Sequence, residues 1–365
     1  MFQRILVANR GEIALRIIRA CRELGIQSVA VFSEADRGSH YLDLADEAWC
    51  IGPAAASSSY LMVNNIISAA EIGNVQAVHP GYGFLSEQGE FARRCGEEGI
   101  TFIGPSEAHL NLFGDKAQAR EAAIAADVPV LTGIDRAVTL AEAQTFFHDN
   151  GGSMIIKAIA GGGGRGTSAV TDERQLEATF DRCRREAKAA FGIEDVYVEK
   201  FVLRARHVEV QILGDLHGGI AHLHERECSI QRRNQKVVEI APAPGLDPGL
   251  RDQMIDAAVR FAKQVGYTSL GTFEFLVDDS KKPTQPFVFI EANARLQVEH
   301  TVTEEVTGID IVQTQIRMAG GESLADVGLD QPITPKGYAI QAVSYTHLRA
   351  HETREDLVCR LLLEK

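Results

Sequence analysis

The stretch 271-GTFEFLVDDSKKPTQPFVFIEANARLQVEH-300 decides the fold, because two apolar runs flank a turn-rich segment and lead into a ladder of polar residues. The runs 271-GTFEFLV-277 and 287-FVFIEAN-293 are rich in β-branched and aromatic residues, so they read as an antiparallel strand pair. Strand alternation puts Thr272, Glu274 and Leu276 on one face of the first, and Phe289, Glu291 and Asn293 on one face of the second. Closure about Lys282 sets Glu274 opposite or next to Glu291. Two carboxylates 4 Å apart repel by on the order of 4 kcal/mol at an effective dielectric near 20. A cation between them removes the conflict, and two carboxylates with an amide suit Mg²⁺ bridging the phosphates of a nucleotide. A pair of exposed glutamates in another register is the plain alternative.

The alternation continues as Glu291, Asn293, Arg295, Gln297 and Glu299. Such a row suits a small planar anion, with Arg295 as a two-point clamp and Glu299 as a base. An amphipathic edge strand has the same spacing.

Upstream, 157-KAIAGGGGRGTS-168 contains G-x-G-x-x-G but no helix signal follows it; Thr167 to Val170 reads as the second strand of a hairpin. A glycine run between strands offers its own N–H groups and Arg165 to an anion and can fold down over a ligand. A surface turn is the alternative.

The opening residues alternate differently. Strands at 4–8 and 28–32 enclose a helix whose Ile13, Ile17, Ala20, Cys21 and Leu24 keep the helical period. With strands at 77–78 and 101–103 and a helix near 88–98, residues 1–113 read as a doubly wound lobe with a parallel sheet. The turn 9-NRGE-12 is no dinucleotide fingerprint, and 79-HPGYGFLSE-87 falls at the carboxyl end of a strand, where such folds bind ligands; a well-packed Ω-type turn is the alternative. Residues 131–203 read as a small α+β lid, followed by strands at 208–213 and 219–224, a polar stretch at 225–245 and a helix near 247–265.

In bulk the 365 residues carry a net charge of −13, which repels nucleic acid over most of the surface. No apolar run reaches the roughly 18 residues of a membrane span. The N-terminus enters its first strand too early for a signal peptide, and six scattered cysteines without a C-x-x-C pair fit a reducing, cytoplasmic setting.

These motifs, together with Asp115-Lys116, 199-EK-200, 207-HVEVQ-211, 229-SIQRRNQKVVEIAPAPG-245 and 290-IEANARLQVEHTVTE-304, resemble biotin carboxylase, the ATP-grasp component of biotin-dependent carboxylases. The resemblance runs from residue 4 to about 342. It implies an α/β chain: a preATP-grasp doubly wound lobe, then an ATP-grasp fold (114–330) with a mobile lid (131–203). Residues 331–342 would begin a further, incomplete domain. It further implies that ATP is bound by Lys116, Lys157, Gly161, Gly162, Gly163, Gly164, Arg165, Gly166, Glu199, Lys200, Val202, His207, Gln231 and Asn234. Glu274, Glu291 and Asn293 would hold Mg²⁺ or Mn²⁺, and Arg295, Gln297 and Val298 would hold bicarbonate. Glu299, Arg295 and Lys236 would be catalytic, with Glu299 the base. Biotin on a carrier protein or domain would be the carboxyl acceptor, with a carboxyltransferase and a second copy of the chain as further partners. Another ATP-grasp ligase of the carbamoyl-phosphate type, or an inactive nucleotide-binding fragment, is the alternative.

The resemblance stops after 337-GYAIQA-342. Where the family carries an arginine that serves carboxyl transfer, this chain has Val343, and 343–365 match nothing expected there. The reading therefore expects a truncated or artificially joined coding sequence with impaired transfer to biotin. The segment 291-EANAR-295 leans toward an acyl-CoA carboxylase over a pyruvate carboxylase.

Overall fold

The computed structural model describes residues 1–134, 136–159, 167–232, 235–280, 283 and 285–343. The glycine run 161–166 with Arg165, Asn234 and the segment 344–365 lie outside the described residues. The first lobe alternates β1 (Arg4–Val7), α1 (Gly11–Glu23), β2 (Gln27–Ser33), β3 (Glu47–Gly52), α2 (Val63–Ile72), β4 (Ala77–His79), α3 (Gly89–Glu97) and β5 (Thr101–Phe102). Its strands form a parallel sheet in the order β3-β2-β1-β4-β5. Ile5, Leu6, Val7 and Val29, Ala30, Val31 are all buried, as a sheet covered by helices on both faces requires. Helix α1 buries Ile13, Ile17, Ala20 and Cys21, while Leu24 caps its C-terminus. The edge strand β3 escapes sequence reading because 47-EAWCIG-52 is mostly exposed and mixes charge with an aromatic.

Strand order reverses between β1 and β4, and the loops leaving these two strands meet at the carboxyl edge of the sheet. Asn9 ties them together: its Nδ2 donates to Pro80 O at 2.7 Å and to Tyr82 O at 2.8 Å. Gly81 turns beneath this bond with φ +63°, and a Cβ there would lie 2.9 Å from Ile13 Cγ1.

Helices α4 (Glu107–Gly114) and α5 (Lys116–Ala125) lead into a four-stranded sheet of β6 (Gly133–Ile134), β7 (Met154–Ala158), β8 (Thr167–Val170) and β9 (Val196–Lys200). The order is β6-β9-β7-β8, with α6 (Leu140–Asp149) and α7 (Leu176–Phe191) packed against it. The strands flanking the glycine run pair as a hairpin, with Lys157 opposite Thr167.

The third sheet is antiparallel. It comprises β10 (Ala205–Gly214), β11 (Ile220–Arg232), β12 (Gln235–Ala241), β13 (Ser269–Asp278), β14 (Phe287–Asn293) and β15 (Ala339–Ala342). The order is β14-β13-β10-β11-β12-β15. The polar stretch from residue 225, which does not read as strand, continues β11 and turns back as β12; its Glu225, Arg226, Glu227 and Glu239 are buried rather than solvated. Helix α8 (Pro248–Gln264) covers one face, starting at Pro248 behind an Asp247 cap whose Oδ1 accepts from Leu250 N at 2.9 Å. There Phe113, Phe261, Phe273, Phe275 and Phe289 interlock with ring centroids 5.1–6.3 Å apart, each worth about 1.5–3 kcal/mol when buried. Helices α9 (His300–Thr307) and α10 (Ile311–Ala319) pack on the opposite face.

The strand pair places Glu274 opposite Glu291, but Phe275 opposite Phe289. One extra residue, Ile290, therefore bulges from β14. This corrects simple alternation: Phe289 joins the phenylalanine core, while Glu291 and Asn293 pair with Glu274 and Thr272.

Gly81→Val should destabilise the chain by about 1–3 kcal/mol, because it adds an unfavourable φ to a clash with α1. Urea unfolding of the variant against the parent checks this, and an unchanged midpoint contradicts it.

Candidate active site

On the face away from the phenylalanines, charge replaces hydrocarbon. Lys236, at the start of β12, donates from Nζ to Glu299 Oε1 at 2.7 Å and to Glu274 Oε1 at 3.0 Å, and pairs with Glu209. These three carboxylates come from the turn before α9, from β13 and from β10, and all are buried. Arg226 of β11 lies fully buried below them. Its Nε donates to Glu209 Oε1 at 2.5 Å, and its Nη1 to Gln211 Oε1 and Thr303 Oγ1, each at 2.9 Å. Glu274 also accepts from Asn293 Nδ2 at 2.6 Å and Gln297 Nε2 at 3.3 Å, and pairs with His207. His207 Nδ1 in turn meets Gln231 Nε2 at 2.9 Å.

Burial opposes ionisation throughout this cluster, and the partners decide which groups overcome it. At Glu274 burial is outweighed by Lys236 and His207, so its carboxyl stays well below the ordinary range. Glu299 is likewise held below its ordinary value, against burial, by Lys236 and then Arg226. Glu209 goes the other way: burial outweighs Arg226 and Lys236 and raises it. Among the described residues no cation is bonded to Glu239 of β12, and burial followed by the neighbouring Glu299 raises it to about 8. The Lys236 ammonium is raised well above its usual range because the three carboxylates overcome its desolvation.

The polar ladder does not continue as a strand. β14 ends at Asn293, and the chain then turns into α9 with Glu299 as the residue before its first turn. Arg295 still joins its neighbours, donating from Nη2 to Asn293 Oδ1 at 3.0 Å and from Nη1 to Gln297 Oε1 at 2.8 Å. Its Nε lies 3.1 Å from Glu87 Oε2, so the loop 79–87 does reach the site. Val298 is half-buried, and its carbonyl accepts from Gln341 Nε2 at 3.4 Å.

Glu291 stands apart from this cluster although it is paired in register with Glu274. It is half-exposed and lies 3.5 Å from Lys116 Nζ, so each member of the expected carboxylate pair has a lysine of its own. Lys116 owes its position to Asp115, whose Oδ1 accepts from Ala117 N at 2.9 Å and Gln118 N at 3.1 Å and so starts α5 there. In the four-stranded sheet Lys157 pairs with Glu199; Lys200 ends β9 and Val202 follows it, both partly buried. Gly161 to Gly164, Arg165, Gly166 and Asn234 lie outside the described residues.

Sequence reasoning missed Glu209, Arg226 and Glu239, which form the floor of the cluster. The signal available was a run of acidic and basic residues at strand spacing, 225-EREC-228 facing 207-HVEVQ-211, which reads as surface until the strands are paired.

Residues 1–110 match the family described as "Biotin carboxylase, N-terminal domain", and residues 115–327 the family described as "Carbamoyl-phosphate synthase L chain, ATP binding domain". "Biotin carboxylase 1" of Bacillus subtilis is 49% identical over 326 residues, 89% of this chain and 72% of that protein. The chain belongs to the biotin carboxylase family. A Campylobacter jejuni biotin carboxylase in complex with β,γ-ATP superposes with a TM-score of 0.85 at 44% identity, over 95% of this chain and 78% of that one. The biotin carboxylase domain dimer of Hydrogenobacter thermophilus 2-oxoglutarate carboxylase, carrying MgADP, ADP and bicarbonate, gives 0.82 at 45% identity over 94% and 74%. Among larger relatives, the pyruvate carboxylases of Bacillus subtilis and Homo sapiens are 52% and 53% identical over 93% of this chain. The chain spans only 30% and 29% of their lengths. The lean of 291-EANAR-295 toward an acyl-CoA acceptor gains no support from these relatives. The preATP-grasp and ATP-grasp architecture of the biotin carboxylase family accounts for the parallel and antiparallel sheets. No helix among the described residues is long and apolar enough to cross a membrane.

Two outcomes follow from the buried charges. Arg226→Met should cost about 3–5 kcal/mol by leaving Glu209 short of a partner, and Glu209→Gln in the same chain should recover part of it; a double-mutant cycle in urea measures this. A carboxyl raised to about 8 in the fold stabilises the chain at low pH, and that contribution is lost as pH climbs from the ordinary glutamate range through 8. Glu239→Gln should remove up to about 1.4 kcal/mol per pH unit of this decline; parallel slopes for the two proteins between pH 5 and 9 contradict it.

Proposed function

We propose that the chain uses ATP to activate bicarbonate as carboxyphosphate, the first step of ATP- and bicarbonate-dependent carboxylation of biotin borne on a carrier protein. The observation that carries the reading is the clamp of Asn293, Arg295 and Gln297 held against Glu274, which Lys236 joins to the base Glu299. Lys116, Lys157 and His207 would take the phosphates, with Glu199, Lys200 and Val202 at the adenine and Gln231 and Asn234 at the ribose and phosphates. We assign residues 131–203 as the lid that closes with the glycine run over the nucleotide and keeps water from the intermediate.

Glu274 and Glu291, register partners with hard oxygen donors, fit a divalent ion with Asn293 assisting; bound Mg²⁺ would neutralise charge on the phosphates. Arg295, Gln297 and the main chain at Val298 would hold bicarbonate in line with the γ-phosphorus, positioning worth up to about 7–11 kcal/mol. Glu299 takes the bicarbonate proton, the freed oxygen forms a bond to the γ-phosphorus, and the bond to ADP breaks. Lys236, then Arg226, hold Glu299 below its ordinary range against burial, which favours the carboxylate form that can accept this proton. Carboxyphosphate then divides into CO₂ and phosphate, the phosphate takes the ureido proton of biotin, and the biotin nitrogen attacks CO₂. We place this last transfer as the weak step in this chain, since Val343 stands where the family resemblance implies an arginine. The match of residues 1–110 favours biotin chemistry over the carbamoyl-phosphate alternative.

Glu299→Gln should lower bicarbonate-dependent ADP release by about 10²–10⁴-fold while leaving thermal stabilisation by MgATP intact. A variant that retains parental turnover removes Glu299 from the role of base, and an ADP release indifferent to bicarbonate in the parent removes the reading altogether.

A further inference from the structure

Arg295 already has a ligand where a planar anion would bind. A guanidinium makes its best two-point contact with a planar oxyanion along an edge that pairs Nε–H with an Nη–H. Here Nη2 is taken up by Asn293 and Nε faces the Glu87 carboxylate at 3.1 Å. Glu87 belongs to the other lobe, at the end of the loop that Asn9 pins through Pro80 and Tyr82. The two partners differ in freedom: the Arg295 side chain is 19% exposed and fixed by two amides, whereas Glu87 is 46% exposed and bonded at one end. A cavity of about 210 Å³ lined by Glu87, Lys116, Glu291 and Asn293 adjoins the pair and has room for a displaced carboxylate beside a second cation.

We propose that Glu87 is a built-in competitor for the anion site, occupying the Nε edge of Arg295 until bicarbonate displaces it. This inference rests on the assignment of Arg295 to bicarbonate. A single-point anion such as chloride exchanges one charged contact for another at Nε, while a planar anion with two oxygens also replaces the neutral Asn293 contact at Nη2 with a charge-assisted one. Glu87 thereby sets the bicarbonate concentration at which the clamp loads and discriminates against simple halides.

The test is the bicarbonate dependence of Tm for the full chain, with bicarbonate alone as the probe, since a ligand stabilises the fold as its concentration passes Kd. Glu87→Gln and Glu87→Ala should each reach half-maximal stabilisation at about two- to fivefold lower bicarbonate than the parent, the worth of one partly exposed ion pair. Both should also become more sensitive to competition by chloride, and Arg295→Met should abolish the response in every background. A half-saturating concentration that is unchanged or raised in both Glu87 variants, against a responding parent, overturns the competitor role alone. A parent that shows no bicarbonate response overturns the assignment of Arg295 as well.

Discussion

One ammonium group organises the site. Lys236 joins three buried carboxylates that arrive from β10, β13 and the turn before α9, elements that share no local sequence. Without it, the repulsion among Glu209, Glu274 and Glu299 would be several times the few kcal/mol that a like-charged pair costs at close range. Arg226 alone cannot balance that charge, being committed to Glu209, Gln211 and Thr303. Burial pushes Glu209 up despite its two cations, and burial with the neighbouring Glu299 pushes Glu239 up to about 8.

The six-stranded sheet thus has two unlike faces. Interlocked rings behind it supply non-directional stability, and the charged face, which an isolated sheet could not bury, is held in register by that backing. The first lobe contributes more than bulk, because its Asn9-pinned loop carries Glu87 to Arg295.

Much of this was legible before any coordinates. The parallel lobe followed from the alternation of apolar runs with a helix of regular period, and the opposition of Glu274 to Glu291 followed from the symmetry of the turn between two strands. What failed were inferences that assumed an unbroken period. Ile290 inserts a residue that no propensity marks, so Phe289 and Glu291 occupy different faces despite their spacing of two. The strands through Glu225, Arg226, Glu227 and Glu239 were hidden because buried charge looks, one residue at a time, like solvated charge; only pairing across strands distinguishes them. The floor of the cluster went unseen for the same reason.

The protrusion at Ile290 also makes this sheet sensitive to chain length in a way it is not to side-chain identity. Restoring even pleating by losing that one residue would leave every acidic and amide group in the gene yet rotate either the rings or the acids out of place. Conservative exchanges of the apolar residues along β14 are therefore the gentler kind of change, and single-codon gains or losses there are the severe kind.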